Sequence, residues 1–482
     1  MEEIVYLIND YIWSIALISL CAFAGLYFSI RTGFLQFRYF RSMLNILFNK
    51  GGSKKGISPF QAFALAISGR VGTGNIVGVA TAISMGGPGA IFWMWCIAIL
   101  GSASAFAEST LGQVYKQDHN GQYRGGPAFY IEKGLGIKWY AVLFALVTII
   151  SCGLLLPGIQ SNSISSSIDN AFAISNTQIF DFSINIPGAI IITLLAIIIF
   201  GGVKRLGKIA EIVVPVMAGI YILMVLYIIG VNIQKIPEMF KLIINSAFGF
   251  DAAFGGIIGA ALSWGVKRGV YSNEAGQGTA PHAAAAARVN HPAEQGLVQA
   301  FSIYVDTLMI CTCTALMILF TNSYNVIDEG TNQIIVEHLP GKDYTQFTQN
   351  AVSTYFPSFG NEFVAIALFF FAFTTIMAYY YYAETNITYI FKKNTKVYIW
   401  ILRVLFLGAT YMGTVKEAQL AWKIGDIGVG LMAWVNIIAI LLLSNITIKV
   451  WKDYVEKKKR GEESPQFNAK EVGIKNANYW EK

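Results

Sequence analysis

Ser68-Gly69-Arg70-Val71-Gly72-Thr73-Gly74-Asn75-Ile76-Val77-Gly78 lies inside an apolar run long enough to cross a bilayer, yet its glycines and polar residues interrupt the helix that a bilayer demands. In hydrocarbon each unpaired backbone N–H or C=O costs several kcal/mol, so such an interruption survives only where the freed groups line a protein cavity. A second interruption reads Ser263-Trp264-Gly265-Val266-Lys267-Arg268-Gly269-Val270-Tyr271-Ser272-Asn273-Glu274-Ala275-Gly276. Each stretch opens a group of five apolar segments. Corresponding breaks in two halves are the mark of an inverted-repeat transporter with its site near the midplane. The competing explanation is close helix packing through small residues. A dinucleotide-binding glycine loop fits less well, because no strand precedes the glycines and no ribose-binding acid follows at the required spacing.

The freed groups suggest the cargo. A half-helix N-terminus offers N–H donors and positive dipole to a carboxylate, while unwound carbonyls offer oxygen ligands to a hard cation. Gly72 and Gly74 let backbone approach a ligand closely, and Asn75 adds a side-chain oxygen. One break can therefore hold an amino acid and a sodium ion together.

Composition agrees with a lipid environment. Charged residues make up 13% of the 482 residues and hydrophobic residues 55%, whereas a soluble domain has about 25% charged residues. About eleven apolar stretches are expected to form helices: 4–30, 59–84, 89–115, 139–168, 187–203, 209–231, 252–286, 293–320, 360–391, 397–413 and 425–449. The net charge of +7 is spread between them and in the tail, with no folded basic domain, so nucleic acid is not an expected partner. Cytoplasmic loops hold the excess of Lys and Arg. One set of loops carries 17, including Lys50, Lys54 and Lys55, and the other carries 5, Lys342 among them. That places the N-terminus outside and the tail from Lys449 in the cytoplasm. The first segment begins acidic and lacks a convincing cleavage site, so it is read as a span. The five cysteines lie within apolar runs, and neither a disulfide nor a metal centre is inferred. The 321–359 connector is either a cap over the outer mouth or a solvated loop.

SGRVGTGNIVGVATAI (68–83), GGPAFYIEKGLG (125–136) and above all VKRGVYSNEAGQGTAPHAAA (266–285) resemble the alanine or glycine:cation symporter family of the wider amino acid, polyamine and cation superfamily, over about residues 59–440. The resemblance implies an all-α polytopic carrier of eleven helices: an extra N-terminal helix and basic loop (1–58), repeats of five helices at 59–231 and 232–449, and a charged tail (450–482). It also implies that the backbone of Gly72, Thr73 and Gly74 receives the substrate carboxylate beside Asn75. Gln160 faces the substrate, or alternatively makes an interhelical hydrogen bond. Trp264 and Gly265 are the expected contribution of the second break. Sodium, a co-transported ligand and not a cofactor, is expected on the carbonyls of about Ser68 and Val71 with the hydroxyls of Thr374 and Thr375. Those hydroxyls can equally bond their own helix.

Charges within spans are costly and either functional or paired. Arg70, Glu108, Lys267, Arg268, Glu274, Asp306, Glu384 and Arg403 read as internal ion pairs; the sharper reading makes Asp306, Glu274, Lys267 and Arg268 coupling or gating charges. Tyr379 to Tyr382 form either an interfacial belt or part of a pocket wall. An enzyme would need clustered ligands or a nucleophile beside a base, and a channel a repeated filter; neither pattern is found, and no obligate protein partner is evident. The expected function is import of alanine or glycine with sodium across a prokaryotic inner membrane. The alternative is proton coupling, or another small amino acid, on the same fold.

Overall fold

The computed structural model describes residues 2–48, 56–119, 121–174, 176–179, 182–200, 202–250, 254–341 and 343–481. Lys50, Lys54, Lys55 and Lys342, which entered the charge count, lie outside the described residues. Among those described, eight helices are long and apolar enough to cross a membrane: Glu3–Arg31, Gly89–Val114, Lys138–Phe172, Arg205–Val231, Pro292–Phe320, Gly360–Ile390, Thr395–Thr414 and Ala418–Leu442. Pro59–Arg70 and Gly74–Gly86, bent by 54°, form a ninth as one broken span. The stretch expected at 187–203 is a shorter apolar helix, Ile186–Ile199, and that at 252–286 is a pair of helices, Ile258–Asn273 and Ala280–Ala286. The chain is thus an all-α polytopic membrane protein, with three small antiparallel hairpins among the described residues of its connections.

Burial separates the centre from the lipid face. Gly360–Ile390 is buried over 78% of its most apolar eighteen residues, whereas Thr395–Thr414 is buried over only 28% of the corresponding stretch. Leu223, Ile212 and Val404 accordingly point outward, as apolar side chains can in lipid at no cost. Tyr379, Tyr380, Tyr381 and Tyr382 are all buried, so they are not an interfacial belt. The reason is their helix: it crosses the middle of the molecule, packing against the Leu156–Phe172 and Pro59–Arg70 helices.

Two connections are more ordered than their polarity suggests. The 321–359 connector packs against the far half of the first broken helix, burying Tyr344, Phe347 and Val352, and Asn325 ties it to the carbonyls of Leu339 and Gly341. The tail likewise folds back after the Ser444–Lys459 helix. Trp480 Nε1 donates to the Gln113 carbonyl at 2.8 Å, and the Phe467 N–H donates to the Asn290 carbonyl at 3.1 Å. Lys116 is enclosed by the rings of Tyr123, Tyr479 and Trp480 at 4.6, 4.3 and 5.0 Å. Its amino group also donates to the Ala287 carbonyl at 2.9 Å, so the lysine head and these rings together anchor the tail.

Candidate functional site

The first broken helix begins as a well-capped helix. Ser58 Oγ accepts from the Gln61 N–H, Gln61 Oε1 accepts from the Ser58 N–H, and Pro59 occupies the first turn, where its missing N–H costs nothing. Regular helix stops at Arg70 and resumes as a wide turn over Gly74–Gly78. Between them the backbone groups find side-chain partners. The Gly72 N–H donates to Asn75 Oδ1 at 2.9 Å, and the Thr73 N–H and hydroxyl both donate to Gln160 Oε1 at 3.0 and 2.8 Å. A Cβ on Gly72 would press on Thr375 Oγ1 and Gln160 Oε1, so only glycine lets three segments meet here.

The Thr375 hydroxyl is 2.8 Å from the Ser68 carbonyl, 3.3 Å from that of Val71 and 3.0 Å from that of Phe371. One hydroxyl proton cannot satisfy three carbonyl oxygens. The arrangement is a compact set of oxygens facing one another, the environment a hard cation requires. Thr374 differs: its hydroxyl donates at 3.0 Å to Phe371 of its own helix. Ser68, Val71, Gly72, Thr73, Asn75, Gln160, Thr374 and Thr375 are all buried.

The second break is displaced from its expected centre. Ile258–Asn273 runs as unbroken helix through Gly265, and the chain leaves it only at Glu274, resuming at Ala280. Gly265 is a packing residue, since a Cβ there would collide with the Ala90 carbonyl and the Trp93 side chain. The break itself contains Gly276 and Gly278 at φ +81° and +82°, a left-handed backbone that glycine adopts freely. Glu108 Oε2 accepts from the Gly278 N–H at 3.0 Å and from Asn436 Nδ2 at 2.8 Å, while Asn436 also donates to the Gly276 carbonyl at 2.9 Å. Only tertiary contacts decide which of several glycines in the 263–278 run lies in helix and which in the break.

Asp306 joins the two broken helices. Its carboxylate accepts from Asn75 Nδ2 at 2.7 Å, from Ser272 Oγ at 3.0 Å and from Thr307 Oγ1 at 2.7 Å. Tyr271 packs against Gly74, and its hydroxyl receives Gln160 Nε2 at 3.4 Å.

Lys267, Arg268 and Trp264 belong to a separate cluster. Arg268 binds both Asp426 carboxylate oxygens, at 2.9 and 2.7 Å, and Lys267 reaches the second at 3.1 Å. Trp264 Nε1 donates to Glu329 of the connector at 2.9 Å, and its ring lies 4.9 and 5.0 Å from the Lys267 and Arg268 cations. Trp264 therefore stands among ion pairs rather than beside Gly72. Sequence reasoning did not single out Asp426, because the last span was begun at 425. The helix starts at Ala418, which carries Asp426 two turns inward. At the opposite end Arg124 pairs with Glu384 at 2.9 Å.

A family model described as the sodium:alanine symporter family matches residues 1–469. YrbD of Bacillus subtilis (strain 168), inferred to be a sodium/proton-dependent alanine carrier, is 54% identical over 100% of this chain and 98% of its own. The sodium/proton-dependent alanine carrier protein of Bacillus sp. (strain PS3) is 50% identical over 91% of this chain and 97% of its own. GlnT of B. subtilis, assigned as a sodium/glutamine symporter, is 45% identical over 96% and 92%. These relatives are carriers rather than enzymes and cover 91% or more of the chain, so the chain belongs to the sodium:alanine symporter family.

Proposed function

We propose that this protein imports a small neutral amino acid, alanine or glycine, together with a sodium ion by alternating access. The observation that carries the reading is the buried break at Val71–Thr73, where carbonyl oxygens and N–H donors of one unwound turn meet side chains of two other helices. In this proposal the carbonyls of Ser68 and Val71 and the hydroxyl of Thr375, with Thr374 behind it, hold sodium. The backbone of Gly72, Thr73 and Gly74 takes the substrate carboxylate, with Asn75 and Gln160 beside it. Gln160 Oε1 already occupies the Thr73 N–H, so the substrate carboxylate displaces an uncharged acceptor with a charged one, a stronger hydrogen bond. The Arg268–Lys267–Asp426 cluster closes one side, and Arg124–Glu384 the other.

The same reading takes eleven helices in two repeats of five, with 1–58 preceding them and 450–482 following, the N-terminus outside and the C-terminus cytoplasmic. Matching breaks at Val71–Thr73 and 274–279 support the repeats, and the Lys/Arg bias supports the orientation. The alternative, proton coupling or another amino acid such as glutamine, is favoured by the names of the relatives. Uptake of labelled alanine, glycine and glutamine into proteoliposomes with imposed sodium or proton gradients separates these. Uptake that ignores a sodium gradient refutes sodium symport.

A further inference from the structure

The site described leaves one group of buried charges out of balance. Arg70, Glu108, Glu274 and Asp306 each have at most 2% of their surface exposed. Arg70 lies within electrostatic reach of all three carboxylates. Its NH1 meets Ser302 and Gln299, while its Nε and NH2 have no hydrogen-bond partner among the described residues. One cation against three carboxylates leaves two negative charges uncompensated if all ionise. At this depth that is strongly unfavourable, so the cluster takes up positive charge as metal ion, proton or both.

The neighbours distinguish the three acids. Asp306 meets three donors, one of them an amide N–H that cannot reverse and that fixes Oδ1 as an acceptor. Glu108 Oε2 faces two N–H donors, from Gly278 and Asn436, which fix that oxygen as an acceptor, and its Oε1 has no hydrogen-bond partner among the described residues. Glu274 faces hydroxyls: Thr279 Oγ1 donates to its Oε2 at 2.8 Å, and the Tyr379 hydroxyl lies within its electrostatic reach. A hydroxyl can donate to a carboxylate or accept from a carboxylic acid, so this shell accommodates both states. Among the described residues Glu274 Oε1 has no hydrogen-bond partner, nor has the buried Tyr382 hydroxyl. The two groups are neighbours, since a Cβ on Gly69 would lie 2.7 Å from that hydroxyl and 3.2 Å from Glu274 Oε2. Cys152 and Tyr271 complete the titratable surroundings, and His282 packs against the Tyr382 ring at 5.4 Å.

We propose that Glu274 is a proton-binding site of the transport cycle, protonated in this conformation and ionised when the second break moves away from Gly69 and Tyr382. The step breaks the carboxyl O–H bond and passes the proton to water on the side to which the break opens; the reverse step restores it. The inference rests on the carrier reading and assigns to one residue the proton dependence that the names of two relatives carry.

The test is calorimetric titration of alanine into the purified full-length protein, with sodium absent and saturating, repeated in two buffers of different ionisation enthalpy and at several pH values. The difference between buffers gives the protons exchanged on binding. A non-zero, pH-dependent number is expected for the wild type, and zero for Glu274→Gln. Should that variant not fold, Glu274→Asp and Tyr382→Phe are expected to move the midpoint of the pH dependence. No exchange in the wild type, the wild-type number in Glu274→Gln, or unmoved midpoints in both other variants overturns the proposal. Sodium-dependent alanine binding without proton exchange rejects this inference alone. Absence of any sodium-dependent binding rejects the proposed function and this inference with it.

Discussion

Replacing Thr375 by valine keeps the shape of the side chain and removes only the oxygen that faces the carbonyls of Ser68, Val71 and Phe371. In the proposed site that oxygen is a sodium ligand, and without sodium it is the donor that neutralises the carbonyls. Leaving a buried acceptor without its partner costs about 1–3 kcal/mol. At about 1.4 kcal/mol per decade, the sodium concentration for half-maximal uptake should rise about 5-fold to about 150-fold. Thr375→Ser restores the oxygen and should recover most of the loss. Thr374→Val should change sodium dependence much less, because that hydroxyl bonds within its own helix. The assay is initial-rate uptake of labelled alanine into proteoliposomes across a sodium series, with the amount of folded protein measured by gel filtration. A Thr375→Val carrier whose sodium dependence matches the wild type would show that the cage binds no coupled ion.

Gly72→Ala forces a methyl against Thr375 and Gln160, and overpacking of this kind costs about 1–3 kcal/mol; transport should fall sharply, and unchanged uptake would mean that the break relaxes freely. Gln160→Glu sets a fixed carboxylate against the Thr73 N–H where the substrate carboxylate is placed, so half-saturating alanine should rise at least about tenfold, equivalent to about 1.4 kcal/mol. Gains in alanine affinity would contradict that placement. Asp426→Asn removes the partner of two buried cations and should destabilise by about 3–5 kcal/mol, read as a lower melting temperature. Adding Arg268→Gln should recover part of the loss, and a double variant no better than the single one would show that the pair does not act as a unit.

Several features were readable in the linear chain because bilayer physics leaves few choices. Apolar length announces a span, and glycine clusters within a span announce an unwound turn. The first break, from Val71 to Thr73, follows from these rules, as does the all-α architecture. The facing of Thr375 toward Ser68 and Val71, more than 300 residues apart in sequence, came from resemblance rather than periodicity, and the fold brings those atoms together. Periodicity cannot say which glycine of a glycine-rich run is packed and which is unwound. Gly265 is held in helix by the close approach of Ala90, whereas Gly276 and Gly278 are freed because Glu108 and Asn436 take up their backbone groups. Pairing of charges was equally a tertiary decision: Asp426 meets Lys267 and Arg268, Glu384 meets Arg124, and Glu274 meets hydroxyls. A buried charge is defined by what surrounds it, and the surroundings come from other helices.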